Sequence, residues 1–312
     1  MSNTESSKHL FNEISNLATE QRNPISMNID AMSVKDILAL INSEDKTVAF
    51  AIEKELEPIS KAVELIVSSL KHGGRLLYFG AGTSGRLGVL DAAECPPTFG
   101  TPHELILGAI AGGKEAMFRA QEGAEDKEEN GANDVTSLNV NSNDVVCGIA
   151  ASSRTPYAIG AVKKAKELGA STIFITCSSK DNFSLDCVDV PICVPVGPEV
   201  IMGSTRMKSG TAQKMILNLL TTTAMIRLGK VYENLMIDLQ MTNSKLVERS
   251  KRIVMIITGV SYEEATAYLE KSGWHVKSAL VMIKSGVGFE EAKQRLVAAD
   301  GFVRAAIEGK KT

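Results

Sequence analysis

Residues 75–85 read Arg75-Leu76-Leu77-Tyr78-Phe79-Gly80-Ala81-Gly82-Thr83-Ser84-Gly85, and this stretch decides the fold. Residues 76–79 form a short apolar run that is typical of a buried strand. The glycines after it predict a tight turn into a helix that begins at Ser84. At the positive end of that helix, the backbone amides from Gly82 onward and the hydroxyls of Thr83 and Ser84 would face an anion.

The three glycines of this turn also match the dinucleotide pattern G-x-G-x-x-G. A nicotinamide site of that kind needs an acidic residue at the end of the next strand, where it binds the ribose hydroxyls. Here the next predicted strand, residues 105–110, runs into Ala111-Gly112-Gly113. The hydroxyls of Thr83 and Ser84 also suit a terminal phosphate better than a pyrophosphate. The pattern therefore favours a phosphate monoester as ligand, and we expect no cofactor.

Strand-like and helix-like segments alternate from this turn onward. The predicted strands are residues 76–79, 105–110, 145–150, 172–177 and 190–194, and the predicted helices between them begin at Ser84, Lys114 and Thr155. Such alternation indicates an α/β fold, a three-layer, doubly wound parallel sheet with right-handed crossovers. Ligands of these sheets bind beyond the carboxyl ends of the strands. Upstream, residues 47–70 show one helical stripe, in which Pro58 either kinks the helix or begins its second half.

Hydroxyl side chains also follow the predicted strand at 145–150. Ser152, Ser153 and Thr155 come before Pro156. One interpretation is that Ser153 or Thr155 simply caps a helix whose first residue is Pro156. A phosphate needs several converging donors, however, whereas a cap needs one, so two such loops on one sheet favour a phosphate site.

Residues 203–210 form a third polar segment, which contains Ser204. This segment opens a long helix that is predicted to end near Gly229. Arg206 or Lys208 either supplies a cation to a phosphate or carboxylate or is merely solvated.

Two glutamates are candidates for proton transfer. Glu94 is predicted to end the helix that begins at Ser84, because Pro96 and Pro97 turn the chain away after it. Glu125 is predicted at the end of the next helix. The negative end of a helix dipole disfavours an anion and raises the pKa of a carboxyl group, which suits proton transfer. From position alone, two solvated surface acids are an equally good interpretation.

Composition excludes several classes of protein. Of the 312 residues, 23% are charged and 44% hydrophobic, which is ordinary for a globular protein of about two domains. The formal net charge of −3 and the solvated basic run at 163–166 predict no nucleic-acid or membrane partner. The odd number of cysteines lacks a C-x-x-C pair and the histidines are scattered, so we expect neither a disulfide framework nor a metal site.

The sequence contains no predicted targeting or membrane segment. Residues 1–8 are polar and lack the apolar core of a signal peptide, and no stretch has about 18 apolar residues in a row. We therefore expect a cytoplasmic protein.

From about residue 250 the pattern changes to short amphipathic helices. These are predicted at 252–257, 261–269, 276–283 and 289–297, with a capping box at Ser261 and Glu264. The predicted domains are residues 1–249, a sheet domain with an N-terminal helical segment, and residues 250–312, a small helical bundle.

Five motifs carry a resemblance that covers nearly the whole chain. They are Thr19-Glu20-Gln21-Arg22-Asn23-Pro24, Gly80-Ala81-Gly82-Thr83-Ser84-Gly85-Arg86, Asp91-Ala92-Ala93-Glu94-Cys95-Pro96-Pro97, Glu122-Gly123-Ala124-Glu125-Asp126 and Gly203-Ser204-Thr205-Arg206-Met207-Lys208. On these residues the sequence resembles the N-acetylmuramic acid 6-phosphate etherase family, whose sugar isomerase (SIS) domain is akin to that of the glucokinase regulatory protein. The C-terminal helices resemble a ubiquitin-associated bundle, which implies architecture only.

The resemblance implies that water cleaves the D-lactyl ether of N-acetylmuramic acid 6-phosphate, giving N-acetylglucosamine 6-phosphate and D-lactate in cell-wall amino sugar recycling. It implies that Glu94 is the proton donor and that Glu125 is a second acid/base residue. It also implies a phosphorylated amino sugar as ligand and a homodimer whose subunits share site residues. The implied substrate-binding residues are Gly82, Thr83, Ser84, Ser152, Ser153, Thr155, Asn23, Ser204 and Lys208.

Ser153 departs from the family pattern, because many relatives have glycine at this position. A serine held there at positive φ would be strained.

Two other functions fit the same phosphosugar site. A regulator like the glucokinase regulatory protein would bind without turnover and would not need Glu94 and Glu125. An aldose-ketose isomerase would also remove the C2 proton but would retain the 3-substituent.

Overall fold

The computed structural model describes residues 18–239 and 244–310. The polar segment 1–8, on which the signal-peptide prediction rests, lies outside the described residues. Within the described chain there are two compact units. The first combines the residues up to 93 with residues 104–220, and the second combines residues 94–103 with the chain from 221 onward. The domain boundary at 249/250 stays a prediction.

Five parallel strands form the sheet of the first unit. They are β1 (Leu76–Gly80), β2 (Ile106–Ile110), β3 (Val145–Ile149), β4 (Ser171–Thr176) and β5 (Val190–Cys193). Their order across the sheet is β2-β1-β3-β4-β5. The predicted α/β fold with a parallel sheet is confirmed, and every predicted strand lies within one residue of its observed bounds.

Helices cover both faces of this sheet. They are α1 (Val34–Glu53), α2 (Leu56–Lys71), α3 (Gly82–Phe99), α4 (Glu128–Ser137), α5 (Pro156–Glu167) and α6 (Lys208–Arg227), and the last turns of α3 and α6 belong to the second unit. Leu77 and Phe79 of β1 pack with the buried residues of α5, whereas Tyr78 lies against Gly88 of α3. No helix within the two described ranges is long and apolar enough to cross a membrane.

Short 3-10 helices lie at Ala18–Glu20, Pro24–Ser26, Ile29–Ala31, Lys114–Met117 and Lys180–Asn182. The helix predicted from Lys114 is wrong, because only this one turn forms there and helical structure resumes at α4. Gly123, with a φ of 72°, adopts a left-handed backbone conformation that a continuous helix cannot include.

The predicted end of α3 at Glu94 is also wrong. Pro96 and Pro97 lie inside α3, which continues to Phe99. Each proline removes one amide donor, but the Gly100 amide still donates to the Pro96 carbonyl at 2.9 Å and completes the last turn.

The apolar stripe predicted over residues 47–70 belongs to two helices, α1 and α2. The break falls at Lys54 and Glu55. Pro58 lies in the first turn of α2, where a missing N–H leaves no helical bond unmade. The alternative in which Pro58 begins the second half is therefore confirmed.

The second unit is mainly helical and has its own hydrophobic core. It contains β6 (Val231–Tyr232), β7 (Leu235–Met236), α7 (Ser244–Thr258), α8 (Tyr262–Lys271), α9 (Val276–Ser285), α10 (Phe289–Ala298) and α11 (Val303–Glu308). The capping box of Ser261 and Glu264 is confirmed. The hairpin β6–β7 and α11 were not predicted, because such short elements carry too few residues for a periodic pattern.

Helices α4 and α5 approach each other through two glycines. A Cβ on Gly131 would lie 1.9 Å from the Tyr157 carbonyl oxygen, and one on Gly160 would lie 1.9 Å from the Glu128 carbonyl oxygen. Backbone therefore packs directly on backbone between the two helices. The Tyr157 hydroxyl also donates to Asp134 Oδ2 at 2.6 Å. The close packing of α4 on α5 thereby fixes the position of the segment before α4 relative to the start of α5.

Gly160→Ala should destabilise the protein. Alanine gains about 1 kcal/mol of helix propensity over glycine, but overpacking against a backbone carbonyl typically costs about 1–3 kcal/mol. Urea unfolding should therefore show a lower midpoint than wild type, whereas the exposed Glu129→Ala on α4 should change stability by less than about 0.5 kcal/mol. An unchanged or raised midpoint for Gly160→Ala would show that the two helices do not pack as closely as described.

Candidate functional site

The loops that follow β1 and β3 leave the sheet side by side. Gly80, the last residue of β1, pairs with Ile110 of β2 on one side and with Ile149 of β3 on the other. Helix α3 connects β1 to β2, so the direction of winding reverses between β1 and β3. Ligands of doubly wound sheets bind at such a reversal, beyond the carboxyl ends of the strands.

The start of α3 lies unusually close to the sheet edge. A Cβ on Gly85 would lie 2.6 Å from both the Gly80 carbonyl oxygen and Ile110 Cγ1, so only glycine permits this approach. The amides of Gly82, Thr83 and Ser84 precede the first intrahelical bond and are left to bind a ligand or water. Such amides at the start of a helix are the groups that bind anions in other proteins, so the predicted anion site at this helix end stays a prediction.

Ser84 is buried, and its hydroxyl donates to Gln213 Oε1 of α6 at 2.9 Å. Gln213 is itself 1% exposed, and its Nε2 has no hydrogen-bond partner within the described residues. A buried amide donor without a partner is costly and rare in folded proteins. Gln213 is thus in direct contact with Ser84, although 129 residues of sequence separate the two and nothing in the local pattern around Gln213 marks it.

The hydroxyl residues after β3 are half-buried, and Thr155 takes the N-cap position of α5. Pro156 is the first helical residue, as the capping interpretation expects, but the Thr155 side chain makes no capping bond. Ser153 has a φ of 57°. The positive φ at which a serine is expected to be strained is therefore confirmed. The Ser153 hydroxyl donates to the Ser152 carbonyl oxygen at 2.6 Å.

Glu125 lies in a turn between the Lys114–Met117 helix and α4, not at a helix end as predicted. Its carbonyl oxygen accepts the Tyr157 amide of α5 at 3.0 Å. The Glu125 backbone thereby satisfies one of the amides that the start of α5 leaves without a helical partner. The turn is thus attached directly to the helix that follows the Ser152–Thr155 loop.

One pocket of about 210 Å³ connects the Glu125 turn with the start of α3. It is lined by Ala81, Gly82, Arg86, Ala111, Ala116, Ala120, Gln121, Glu122, Gly123, Ala124 and Glu125. Gly82 and Glu125, both predicted from the sequence, therefore share one cavity. Arg86, the last residue of the Gly80–Arg86 motif, also lines this cavity, and the sequence analysis assigned it no function.

The pKa of Glu125 is raised above its ordinary value, first by burial of the carboxyl group and then by the negative charge of Asp126. Although much of the side chain is exposed, the pocket walls displace part of its water. The direction agrees with the expectation for a proton-transfer group. The cause of the raised pKa differs from the predicted one, since Glu125 does not lie at a helix end.

Glu94 is exposed on α3 and is not among the residues that line this pocket. It lies twelve residues after Gly82 in one continuous helix. The predicted phosphate-binding residues therefore lie at the start of α3, whereas Glu94 lies in its second half.

Asn23 and Lys208 meet at a third acidic residue, Glu44 of α1. Asn23 Nδ2 and Lys208 Nζ each bind Glu44 Oε2 at 2.7 Å. Lys208 is 3% exposed, so its charge is buried and neutralised by Glu44. Ser204 is half-buried in the loop before α6. Sequence analysis missed Glu44, because its partners lie 21 and 164 residues away.

A buried carboxylate already occupies the start of α6. Glu199 is 0% exposed and accepts the amides of Lys208 and Ser209 at 3.0 and 2.9 Å and the Ser209 hydroxyl at 3.0 Å. An internal carboxylate thus takes the place that an external anion would take at this helix end.

Glu125→Gln should alter how stability depends on pH. Because the folded-state pKa of Glu125 is raised, its contribution to stability is complete below the unfolded-state pKa and is lost as pH rises through the folded-state value. The neutral variant should therefore gain in urea midpoint relative to wild type between about pH 4 and pH 7. A difference that shrinks over that range would contradict the assigned environment.

Three family models match parts of this chain. Residues 58–166 match the N-terminal SIS domain of glucokinase regulatory protein, and residues 123–223 match the SIS domain. Residues 233–284 match the C-terminal lid domain of glucokinase regulatory protein. Among solved structures, a phosphoheptose isomerase GmhA from Neisseria gonorrhoeae is 21% identical with a TM-score of 0.45, covering 62% of this chain and 98% of that chain.

Several curated relatives match over almost the entire chain. An N-acetylmuramic acid 6-phosphate etherase of Salinibacter ruber is 57% identical over 97% of this chain and 97% of its own. Etherases of the same name from Bacillus cereus and Clostridioides difficile are 52% and 53% identical, over 94% and 96% of this chain and 100% and 98% of theirs. The chain belongs to the N-acetylmuramic acid 6-phosphate etherase family.

Proposed function

We propose that this protein uses water to cleave the D-lactyl ether of N-acetylmuramic acid 6-phosphate, releasing N-acetylglucosamine 6-phosphate and D-lactate during recycling of cell-wall amino sugars. The observation that carries this proposal is the shared pocket of Gly82 and Glu125. It sets the start of a helix suited to phosphate beside a carboxyl group whose pKa is raised.

The 6-phosphate would bind where the loops after β1 and β3 meet. Its proposed donors are the amides of residues 82–84 and the hydroxyls of Thr83, Ser84, Ser152, Ser153 and Thr155. Ser84 would rotate its hydroxyl from Gln213 toward the phosphate. Rotation of the Gln213 side-chain amide would then let Nε2 donate to Ser84 Oγ, which supplies the partner that this buried donor lacks.

We also propose three further ligand residues, Asn23, Ser204 and Lys208. Two of them already have a protein partner. Asn23 and Lys208 both bind the same oxygen of Glu44. A hydroxyl or phosphate of the substrate would have to compete with that carboxylate for them. Their first effect would therefore be to hold the segments around residues 23 and 208 together.

The proposed chemistry needs two carboxyl groups. In the open-chain sugar, C2 lies next to an aldehyde and loses its proton to one carboxylate. The bond between C3 and the ether oxygen then breaks as the second carboxyl group gives its proton to the departing lactate oxygen. Water adds to C3 of the unsaturated aldehyde and C2 regains a proton, so atoms and charge balance. Phosphate binding would orient C2 and C3 for these steps.

We infer that Glu94 acts on a substrate bound to a second copy of the chain. Glu94 belongs to α3 but is not among the residues that line the pocket of Gly82 and Glu125. Glu94 is exposed, and so is Leu90 one turn before it, at 51%. A partner subunit that covers this face of α3 would bury Leu90 and bring Glu94 to its own phosphate site.

We further propose that the reaction takes place in the cytoplasm. A sugar phosphate is charged and does not cross a lipid bilayer readily. An enzyme that consumes it would need to share its compartment.

Glu94→Ala and Glu125→Ala should each lower D-lactate release from N-acetylmuramic acid 6-phosphate by about 10²- to 10⁴-fold, the usual contribution of a positioned acid or base. Binding of N-acetylglucosamine 6-phosphate, measured by calorimetry, should persist in both variants. Glu129→Ala is the matched control. A wild-type protein that binds the sugar phosphate but releases no lactate would support a regulator instead, and a ketose product that keeps its lactyl group would support an isomerase.

Mixed assemblies test whether two subunits share the site. Co-expressed Glu94→Ala and Glu125→Ala chains should regain about a quarter of wild-type activity, because half of the dimers are mixed and each mixed dimer has one intact site. Each variant alone serves as the control. Verified mixed dimers that stay inactive would assign both glutamates to the same chain and contradict a shared site.

A further inference from the structure

Arg86 is a fixed cation in the wall of the Glu125 pocket. It is half-buried, and its guanidinium donates from Nε to the Met117 carbonyl at 3.0 Å and from Nη2 to the Ala116 carbonyl at 2.6 Å. These two bonds set the plane of the guanidinium. They use two of its five N–H donors, so three remain for a ligand or water.

No carboxylate neutralises Arg86 anywhere in residues 18–239 or 244–310. Glu125 lines the same pocket, but the causes of its pKa shift are burial and Asp126, not the guanidinium. A half-buried cation whose only protein partners are carbonyl oxygens provides a site for an anion.

Besides the charged and polar side chains of Arg86, Gln121, Glu122 and Glu125, the pocket is lined by small residues, mostly alanines. Ala81, Ala111, Ala116, Ala120 and Ala124 all line it. Alanine methyl groups leave room for a short substituent and make favourable contacts with a methyl group. The cavity therefore combines a cation, two carboxyl groups and an apolar surface of alanine methyl groups.

We propose that Arg86 binds the carboxylate of the D-lactyl group, with the lactyl methyl against the alanines; this inference rests on the proposed function. Each part of the substituent then has a chemical counterpart in the pocket. An N-acetyl group also has a methyl but carries no charge, so it leaves Arg86 without an anion. Arg86 would be a specificity-determining residue that separates the ether substrate from the sugar phosphate product.

Binding at Arg86 would also assist the cleavage step. A substrate bound at its phosphate and at its lactyl carboxylate has the C3–O bond fixed at both ends, which orients it toward the proton donor. The guanidinium would offset the repulsion between the lactyl carboxylate and the pocket acids.

Arg86→Gln provides the test, with Arg86→Lys as the conservative variant and Arg119→Gln as the matched control. Arg119 is exposed in the same loop region and does not line the pocket. We expect Arg86→Gln to lower kcat/KM for N-acetylmuramic acid 6-phosphate by about 10- to 100-fold, the range for a charge-assisted hydrogen bond. Affinity for N-acetylglucosamine 6-phosphate should stay within about 2-fold, and Arg86→Lys should restore part of the loss.

A substrate analogue whose lactyl carboxylate is a carboxamide isolates the charge. The wild type should bind and turn over this analogue poorly, and Arg86→Gln should not worsen it further. Equal losses for both sugar phosphates would overturn the proposal and assign Arg86 to phosphate binding or to holding the Lys114–Met117 turn. No loss for either would also overturn it. A wild type that releases no lactate would instead refute the proposed function, while the binding comparison would still report on Arg86.

Discussion

The reversal of winding beside β1 is the constraint on which the site depends. Because α3 leaves β1 toward β2 while β3 pairs on the opposite side, the loops after β1 and β3 flank one crevice. At the starts of α5 and α6, protein groups already accept hydrogen bonds from the first backbone amides. Glu199 binds the first amides of α6, and the Glu125 carbonyl binds the Tyr157 amide of α5. The first amides of α3 have no such partner among the described residues, and we propose that an external anion binds there.

A hydrogen bond to a helix start also fixes the position of the Glu125 backbone. Its backbone belongs to the start of α5, while its side chain faces a pocket that raises its pKa. The close contact of α4 and α5 through Gly131 and Gly160 holds this arrangement in place. The proposed role of Glu125 in proton transfer would benefit from such support, because small displacements of a reacting group lower the rate steeply.

The sequence was a good guide wherever a local pattern carried the information. Apolar runs of strand length located all five strands, and the Ser261–Glu264 spacing located its capping box. It failed where the decisive feature is conformational, as at Gly123, whose positive φ prevents the helix expected before Glu125. It failed at Glu94 because a proline pair can lie within the last turns of a helix.

Site residues with distant partners were the hardest to predict. Gln213 bonds Ser84, Glu44 bonds Lys208, and neither has a motif of its own. Arg86 is marked by its carbonyl partners 30 and 31 residues away, which only the folded chain brings close. The contacts of such residues can be recognised only in the folded chain, where distant segments lie next to each other.

Backbone amide shifts test the central claim most directly. On titration of ¹⁵N-labelled protein with N-acetylglucosamine 6-phosphate, the account predicts that the largest shifts occur at Gly82, Thr83 and Ser84. The amides of Lys208 and Ser209, which Glu199 already binds, should move little. Large shifts at Lys208 and Ser209 with none at the start of α3 would contradict the account.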